Sequence, residues 1–369
     1  MLLVNRPLLP AAERLLPYHK HIDSARFYSN YGPLNDLLQQ RLATHFGRRG
    51  DQLALANSGT SALYALLLAA AGPARAEKPV CVCPAFTFAA TAAAAELCGY
   101  TPFLADIDAE TWALDHERVM ALGDLERVGA VITVAPFGRP PLFEAWQDFT
   151  RTTGIPLIID AAASFDVLGE AAADHGDLPI AVSLHATKTF STAEGGLMFC
   201  DDPAVVKRAV AALNFGFNDA REALGPGLNG KLSEYHCALG LAELDGWPDK
   251  RLGFLQVAGY YEASAEIAGL SDRIYVGREH ANPYALFRAQ SEDQAQEIVA
   301  ALRRERIESR LWWGRGLHHQ QHFRDCTAEP LPVTDDLAPR LLGLPFAVDL
   351  APEDVERVIR TIDRVVQCK

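Results

Sequence analysis

Short apolar, β-branched runs bounded by Gly, Pro, Asp or Asn alternate with Ala-rich and Leu-rich stretches through the first two thirds of the chain. The runs at 53–56, 80–83, 102–105, 130–135, 156–159, 180–183 and 196–200 predict strands. Helices are expected to begin near Ser61, Ala89, Pro141 and Pro203, the last two with proline in the first turn, where its missing N–H costs little. Such alternation predicts an α/β fold with a mostly parallel central sheet sandwiched by helices. Around 246–248 the rhythm gives way to a long helical segment, 250–268. A separate α/β pattern follows: an extended stretch at 284–290, a helix at 293–305, a Trp/His-rich stretch and a final helix from Pro352. A boundary is therefore expected near residue 245, with a large domain at 1–245 and a smaller α/β C-terminal domain at 246–369. No internal repeat, heptad array or low-complexity segment interrupts this pattern.

Composition agrees with a soluble globular protein: of 369 residues, 49% are hydrophobic and 22% charged, so a substantial core can be buried. A formal charge of −13 argues against general affinity for nucleic acid or an anionic membrane, while leaving room for a local phosphate pocket. The most apolar helix candidate, 62–71, is about half the ~20 residues that a membrane span needs. The N-terminus shows no secretory pattern, and a cytoplasmic protein is expected. Seven cysteines, at 81, 83, 98, 200, 237, 326 and 368, do not suggest a disulfide framework. Cys81 and Cys83 are spaced to share one face of a strand, and no second Cys/His cluster at zinc spacing accompanies them, so no metal site is expected.

Four places carry candidate chemistry. The run ending at Ile159 leads into Asp160, a carboxylate at the carboxyl end of a strand, where open α/β sheets bind ligands; taken alone, it also reads as a cap for the following turn. A second strand ends at Ser183, and Lys188 follows five positions later. Lysine acts as a nucleophile when desolvated, although an isolated lysine reads equally as a solvated surface residue. Asn57-Ser58-Gly59-Thr60-Ser61 opens a strongly helical run. Its N–H groups and small hydroxyls suit a phosphate, and the same residue types also serve ordinary capping. Pro84-Ala85-Phe86-Thr87-Phe88 places aromatic rings after a strand, where one can stack on a flat cofactor or simply fill the core.

The order of these pieces resembles the nucleotide-sugar aminotransferases (the DegT/StrS group) of the fold-type I pyridoxal 5′-phosphate (PLP) dependent enzymes. The resemblance runs from Tyr28-Ser29-Asn30-Tyr31-Gly32-Pro33-Leu34 through the segments above, then Glu194-Gly195-Gly196 and Gly227-Leu228-Asn229, to Leu344-Pro345-Phe346. It implies that Lys188 binds PLP as a Schiff base and shuttles the proton, and that Asp160 partners the pyridinium nitrogen. Gly59, Thr60, Ser61 and Ser183 would hold the phosphate, and Phe88 would stack on the ring. Asn229 would reach the phosphate of a neighbouring subunit, implying a homodimer with shared active sites. His185, Lys231 and His318 fall near the substrate. The activity implied is amino transfer from an amino acid, L-glutamate by analogy, to a keto-sugar linked to a nucleotide. Family members carry His or Gln three residues after the aspartate, and here that residue is Ala163, with Ser164 as a candidate substitute. This departure keeps two other PLP chemistries in view: a cyclitol or other non-sugar keto substrate, and a dehydration. A non-catalytic PLP-fold protein would be expected to have lost Lys188 or Asp160, and both are present.

Overall fold

The structure, a computed structural model, describes residues 1–139, 142–169, 176–218 and 221–367. Eleven strands follow in chain order: β1 (Leu53–Ala56), β2 (Val80–Pro84), β3 (Thr101–Ala105), β4 (Val128–Val134), β5 (Leu157–Asp160), β6 (Ile180–Ser183), β7 (Gly196–Phe199), β8 (Ile274–Val276), β9 (Ala285–Arg288), β10 (Thr327–Ala328) and β11 (Leu341–Leu344). The large sheet has the order β1-β7-β6-β5-β4-β2-β3-β10. From β6 to β10 every neighbour is parallel, and β7 runs antiparallel to both β1 and β6.

Both faces of this sheet are covered, which is why its strands read as unbroken apolar runs rather than as alternations. Alternate residues enter two separate cores. Leu55, Val82, Val131, Leu157, Ile159 and Leu197 join one, packed by Leu38 and Leu42 of the helix Pro33–His45, Trp146 and Phe149 of Phe143–Thr153, and Phe254 and Val257 of Trp247–Ile267. Ala54, Cys81, Cys83, Ala130, Ile132 and Ile158 join the other, under the helices Gly59–Ala71, Ala89–Leu97 and Pro203–Ala212. The second core is rich in Ala, so these helices lie close to the sheet.

The second sheet is antiparallel, in the order β11-β9-β8, with the helices Glu292–Arg304 and Pro352–Gln367 beside it. Gly246 forms the turn between the helices Glu234–Asp245 and Trp247–Ile267. Two short connections join the chain's ends to distant parts of it. Leu2 N–H donates to Arg306 O at 2.9 Å and Val4 N–H to Glu308 Oε2 at 2.9 Å, while β10 extends the large sheet beside β3.

The helix expected to begin at Pro141 is described from Phe143; Pro141 itself lies outside the described residues, as does Cys368. The other six cysteines are free thiols, and Cys81 and Cys83 lie 4.0 Å apart in the Ala-rich core. Among the described residues, no helix is long and apolar enough to cross a membrane.

Candidate active site

The carboxyl ends of β2, β4, β5 and β6 open onto one cavity of ≈ 410 Å³. Each strand end delivers a different chemical group: Thr87 and Phe88 after β2, Ala135 and Phe137 after β4, Asp160 closing β5, and Ser183, His185 and Lys188 after β6. Gly59 and Thr60 add the start of a helix, and Tyr284, Arg310, Trp312 and Trp313 form the wall supplied by the C-terminal part.

Asp160 is 5% exposed, and its strand is buried along its whole length. Pairing of Val134 with Asp160, and of Asp160 with Ala181, locks the residue between β4 and β6. Thr91 Oγ1 donates to its Oδ2 at 2.7 Å, and Ala162 N–H donates to Oδ1 at 3.2 Å. Burial pushes the Asp160 carboxyl above the ordinary carboxylate range, and these two hydrogen bonds together with the Lys188 ammonium oppose the rise.

Lys188 stands on a hydrogen-bonded loop between β6 and β7. Ala186 N–H donates to Ala193 O at 2.7 Å, Lys188 N–H to His185 O at 2.9 Å, and Thr192 N–H to Leu184 O at 2.9 Å. Thr189, Ser191 and Thr192 are buried beneath the loop, so the backbone under the lysine is fixed. Its Nζ donates to Tyr284 Oη at 3.0 Å. Three residues earlier on that loop, His185 Nδ1 lies 2.9 Å from Thr187 Oγ1, and its Nε2 lies 3.6 Å from Glu194 Oε1, which also borders the cavity.

The helix Gly59–Ala71 begins at the cavity, with Ser58 as its cap: the Ser58 hydroxyl accepts from Ser61 N–H at 3.1 Å. This helix start meets the end of β6 so closely that a Cβ on Gly59 would lie 2.9 Å from Ser183 Cβ. A Cβ on Gly196 would lie 2.2 Å from Ser58 O. The two glycines therefore permit the approach that puts helix N–H groups beside the Ser183 hydroxyl, an arrangement suited to an oxyanion. Phe88 borders the same cavity and is exposed, which suits a ring that stacks on a flat ligand.

Seven residues singled out in the sequence thus line one cavity: Gly59, Thr60, Phe88, Asp160, Ser183, His185 and Lys188. Four others do not. Ser61 is the third residue of the helix, with its N–H taken by Ser58. Asn229 accepts from Asn57 Nδ2 at its backbone oxygen, and Lys231 Nζ donates to Asn214 Oδ1 at 2.9 Å. His318 Nε2 lies 2.8 Å from Asp335 Oδ1, an oxygen it shares with His319 Nε2 at 3.3 Å. Ala163 borders the cavity with its methyl group. Ser164 does not take its place: it is 1% exposed and away from the cavity lining, and its Oγ makes no hydrogen bond among the described residues.

Thr91 and Tyr284 escaped the sequence reading as functional groups. Thr91 carries a signal in hindsight, since it lies four residues after Thr87, the spacing of neighbours on a helix face, and the two hydroxyls are 2.9 Å apart. Tyr284 carries none, because it arrives from 96 residues beyond Lys188.

Comparison with known proteins agrees with this geometry. The M. tuberculosis H37Rv protein Rv3402c is 31% identical over 97% of this chain and 88% of its own length. A dTDP-4-amino-4,6-dideoxy-D-glucose transaminase of Shigella dysenteriae is 28% identical over 98% of both chains. A crystal structure from Bacillus cereus ATCC 10987 superposes with a TM-score of 0.89 at 27% identity, covering 98% of this chain and 99% of that one. DesI, solved in the presence of its TDP-sugar product, superposes with a TM-score of 0.84 at 29% identity, covering 98% and 92%. With residues 11–363 matched, the chain belongs to the DegT/DnrJ/EryC1/StrS aminotransferase family.

Proposed function

We propose that this protein is a PLP-dependent aminotransferase that moves an amino group from an amino acid, L-glutamate first among them, to the keto group of a nucleotide-linked sugar. One observation carries the reading: Lys188 and the buried Asp160 border the same cavity as the glycine-tight helix start at Gly59. The Shigella relative's name and the TDP-sugar product present with DesI support a nucleotide-sugar acceptor, and the Bacillus cereus relative is described as PLP-dependent.

The residues present fit that cofactor. The close packing of the helix start at Gly59 on the Ser183 end of β6 puts helix N–H groups beside a hydroxyl, which suits a phosphate, and Asp160 is a buried carboxylate held by a hydroxyl and an N–H, leaving its charge for a ring N–H. Gly59, Thr60 and Ser183 would hold the phosphate, with Ser61, whose N–H is taken by Ser58, adding its hydroxyl; Phe88 would cover a ring face, and Asp160 would meet the ring nitrogen. Bound PLP would supply an aldehyde that takes up amines and a protonated ring that draws electrons from the carbon next to the transferred nitrogen. Lys188 Nζ would hold the group by its aldehyde, and the free amine would take and return a proton at the carbon that bears the transferred nitrogen. Asp160 would keep the ring nitrogen protonated, since its carboxylate is buried and held in place by Thr91 Oγ1 and Ala162 N–H.

Asn229, which lies away from the cavity of a single chain, would reach the neighbouring subunit's phosphate in a cytoplasmic homodimer, and Lys231 and His318 would stand near the substrate.

Adding L-glutamate alone to the PLP-loaded protein tests the reading. It should bleach the visible cofactor band and release one 2-oxoglutarate per site, and a dTDP-linked 4-keto-6-deoxyhexose should then restore the band. No bleaching with any amino donor would favour a dehydration. Bleaching with glutamate, followed by recovery only with a cyclitol ketone, would replace the sugar acceptor.

A further inference from the structure

Tyr284 hydrogen-bonds the Lys188 amine. Its phenol oxygen accepts from Lys188 Nζ at 3.0 Å, and Nζ also lies 5.6 Å from the centre of its ring. The tyrosine is held by contacts unrelated to the lysine. Its own N–H donates to Asn282 Oδ1 at 3.0 Å, and Asn282 Nδ2 donates back across the fold to Phe137 O at 2.6 Å. Its ring packs edge-on against Phe137 at 5.3 Å and against Trp312 at 5.1 Å. Phe137 in turn stacks on Trp313 at 4.1 Å. A phenol fixed on this many sides has little freedom to follow the lysine, so the flexible partner is the four-carbon lysine arm.

Two further facts locate Tyr284 within the cavity. Gly138 is so close to both Ala163 O and Asn282 Nδ2 that a Cβ there would lie 2.8 Å and 3.0 Å from them, so the segment carrying Tyr284 comes in beside the Ala163 turn. The phosphate candidates Gly59, Thr60 and Ser183 belong to another wall, where helix and β6 meet. Tyr284 therefore reaches Nζ from the Ala163 side, where the turn after Asp160 offers only a methyl group.

From these contacts we infer that Tyr284 is a positioning residue for Lys188: its phenol oxygen fixes the lysine arm so that Nζ points into the cavity. Because the tyrosine immediately precedes β9, the placement of the amine also depends on how the second sheet seats against the first. The inference rests on the reading of Lys188 as the cofactor lysine, and the Lys188→Ala variant tests that reading separately.

The experiment uses full-length protein and two readouts. In the cofactor-free protein, trace labelling with acetic anhydride, quantified by mass spectrometry against the other lysines, reports how freely Nζ moves and reacts. In the PLP-loaded protein, stopped-flow bleaching with L-glutamate separates the rate constant from the donor's apparent Kd. Tyr284→Phe keeps the ring and removes one hydrogen-bond acceptor. It should raise Lys188 labelling by about threefold or more and slow bleaching about tenfold, leaving the apparent Kd within about twofold. Asn282→Ala, which loosens the tyrosine from behind, should move both readouts the same way by smaller factors. Wild-type labelling of Lys188 in both variants would overturn the inference, whatever happens to turnover. If Lys188→Ala keeps the visible cofactor band, the parent assignment fails instead, and labelling still reports whether Tyr284 holds the amine.

Discussion

Thr91 Oγ1 donates a 2.7 Å hydrogen bond to Oδ2 of Asp160, and Thr87 Oγ1 stands 2.9 Å behind it. The start of the helix Ala89–Leu97 is thereby tied to the carboxyl end of β5, and a carboxylate that burial disfavours gains a donor from a neutral group. Thr91→Val preserves shape and deletes the donor. The Asp160 carboxyl should then rise further above the ordinary range and bind a protonated ring less well. Titration of the cofactor-free variant with PLP should show affinity about tenfold weaker, the value of roughly one hydrogen bond to a charged group. An unchanged Kd would remove Thr91 from the site.

Asp160→Asn separates stability from function. Because burial raises the folded-state pKa of Asp160, keeping it ionised costs the folded protein stability above that pKa. The cost fades as pH falls from the folded-state value to the unfolded-state value, below which the group is protonated in both states. The cofactor-free Asn variant should therefore melt at or above the wild-type temperature at neutral pH, with the gap narrowing in acid. Its bleaching by glutamate should slow by at least about a hundredfold, as expected when preorganised charge is lost from a buried site. A variant less stable than wild type at neutral pH would mean that the hydrogen bonds to Asp160 outweigh its burial.

Lys188→Ala removes the amine that holds the cofactor aldehyde. The visible band of the loaded protein should disappear, turnover should drop by at least about ten-thousandfold, and added methylamine should restore a small part of the rate. Normal turnover in this variant would end the aminotransferase assignment to this lysine.

How much of this was written in the chain depends on distance along it. The strands at 53–56 and 180–183 formed over the expected residues, because local apolar runs between breakers decide them. The cavity residues Asp160, Ser183 and Lys188 were legible for a related reason: strand ends and the loops after them are local in sequence. The two helices at the chain's start went unread: Ala12–Ala25 buries only Ile22, and Pro33–His45, although Leu34, Leu38 and Leu42 recur at helical spacing, takes part of its support from Glu234, 200 residues away. The strands β8 and β11, of three and four residues, are too short to show a period. Tyr284 illustrates the general limit: its role arises from where the second sheet sits, which no local pattern records.

Glu234 is a buried carboxylate whose two oxygens accept Leu34 N–H at 2.8 Å and Asn35 N–H at 2.9 Å, capping a helix that has no side-chain cap of its own. Charge at a helix start is favourable, and the N–H groups would otherwise be left buried without acceptors. Glu234→Ala should cost about 2–3 kcal/mol of stability, measured by urea unfolding. Glu234→Gln, with one acceptor oxygen left, should cost about half as much. Equal stability in both variants would show that water replaces the carboxylate at this helix start.

Gly59→Ala probes the phosphate assignment without touching a polar side chain. The added methyl would meet Ser183 Cβ at 2.9 Å, Ser183 Cα at 3.2 Å and Ser183 Oγ at 3.3 Å, so helix start and strand end must part by a few tenths of an ångström. Overpacking of this kind costs about 1–3 kcal/mol, which a domain with cores on both faces of its sheet can absorb. The displacement falls on the wall assigned to the phosphate, and a hydrogen-bonded anion tolerates poorly any lengthening of its contacts. PLP affinity should fall about tenfold or more, read by titration of the cofactor-free protein. Pyridoxal, which has the same ring and aldehyde but no phosphate, should lose much less, because Asp160 closes a different strand, β5, and Lys188 reaches the aldehyde by a flexible arm from the loop five residues beyond Ser183. Equal losses for the two compounds would place the phosphate elsewhere and make the Gly59 to Ser183 contact a matter of packing alone.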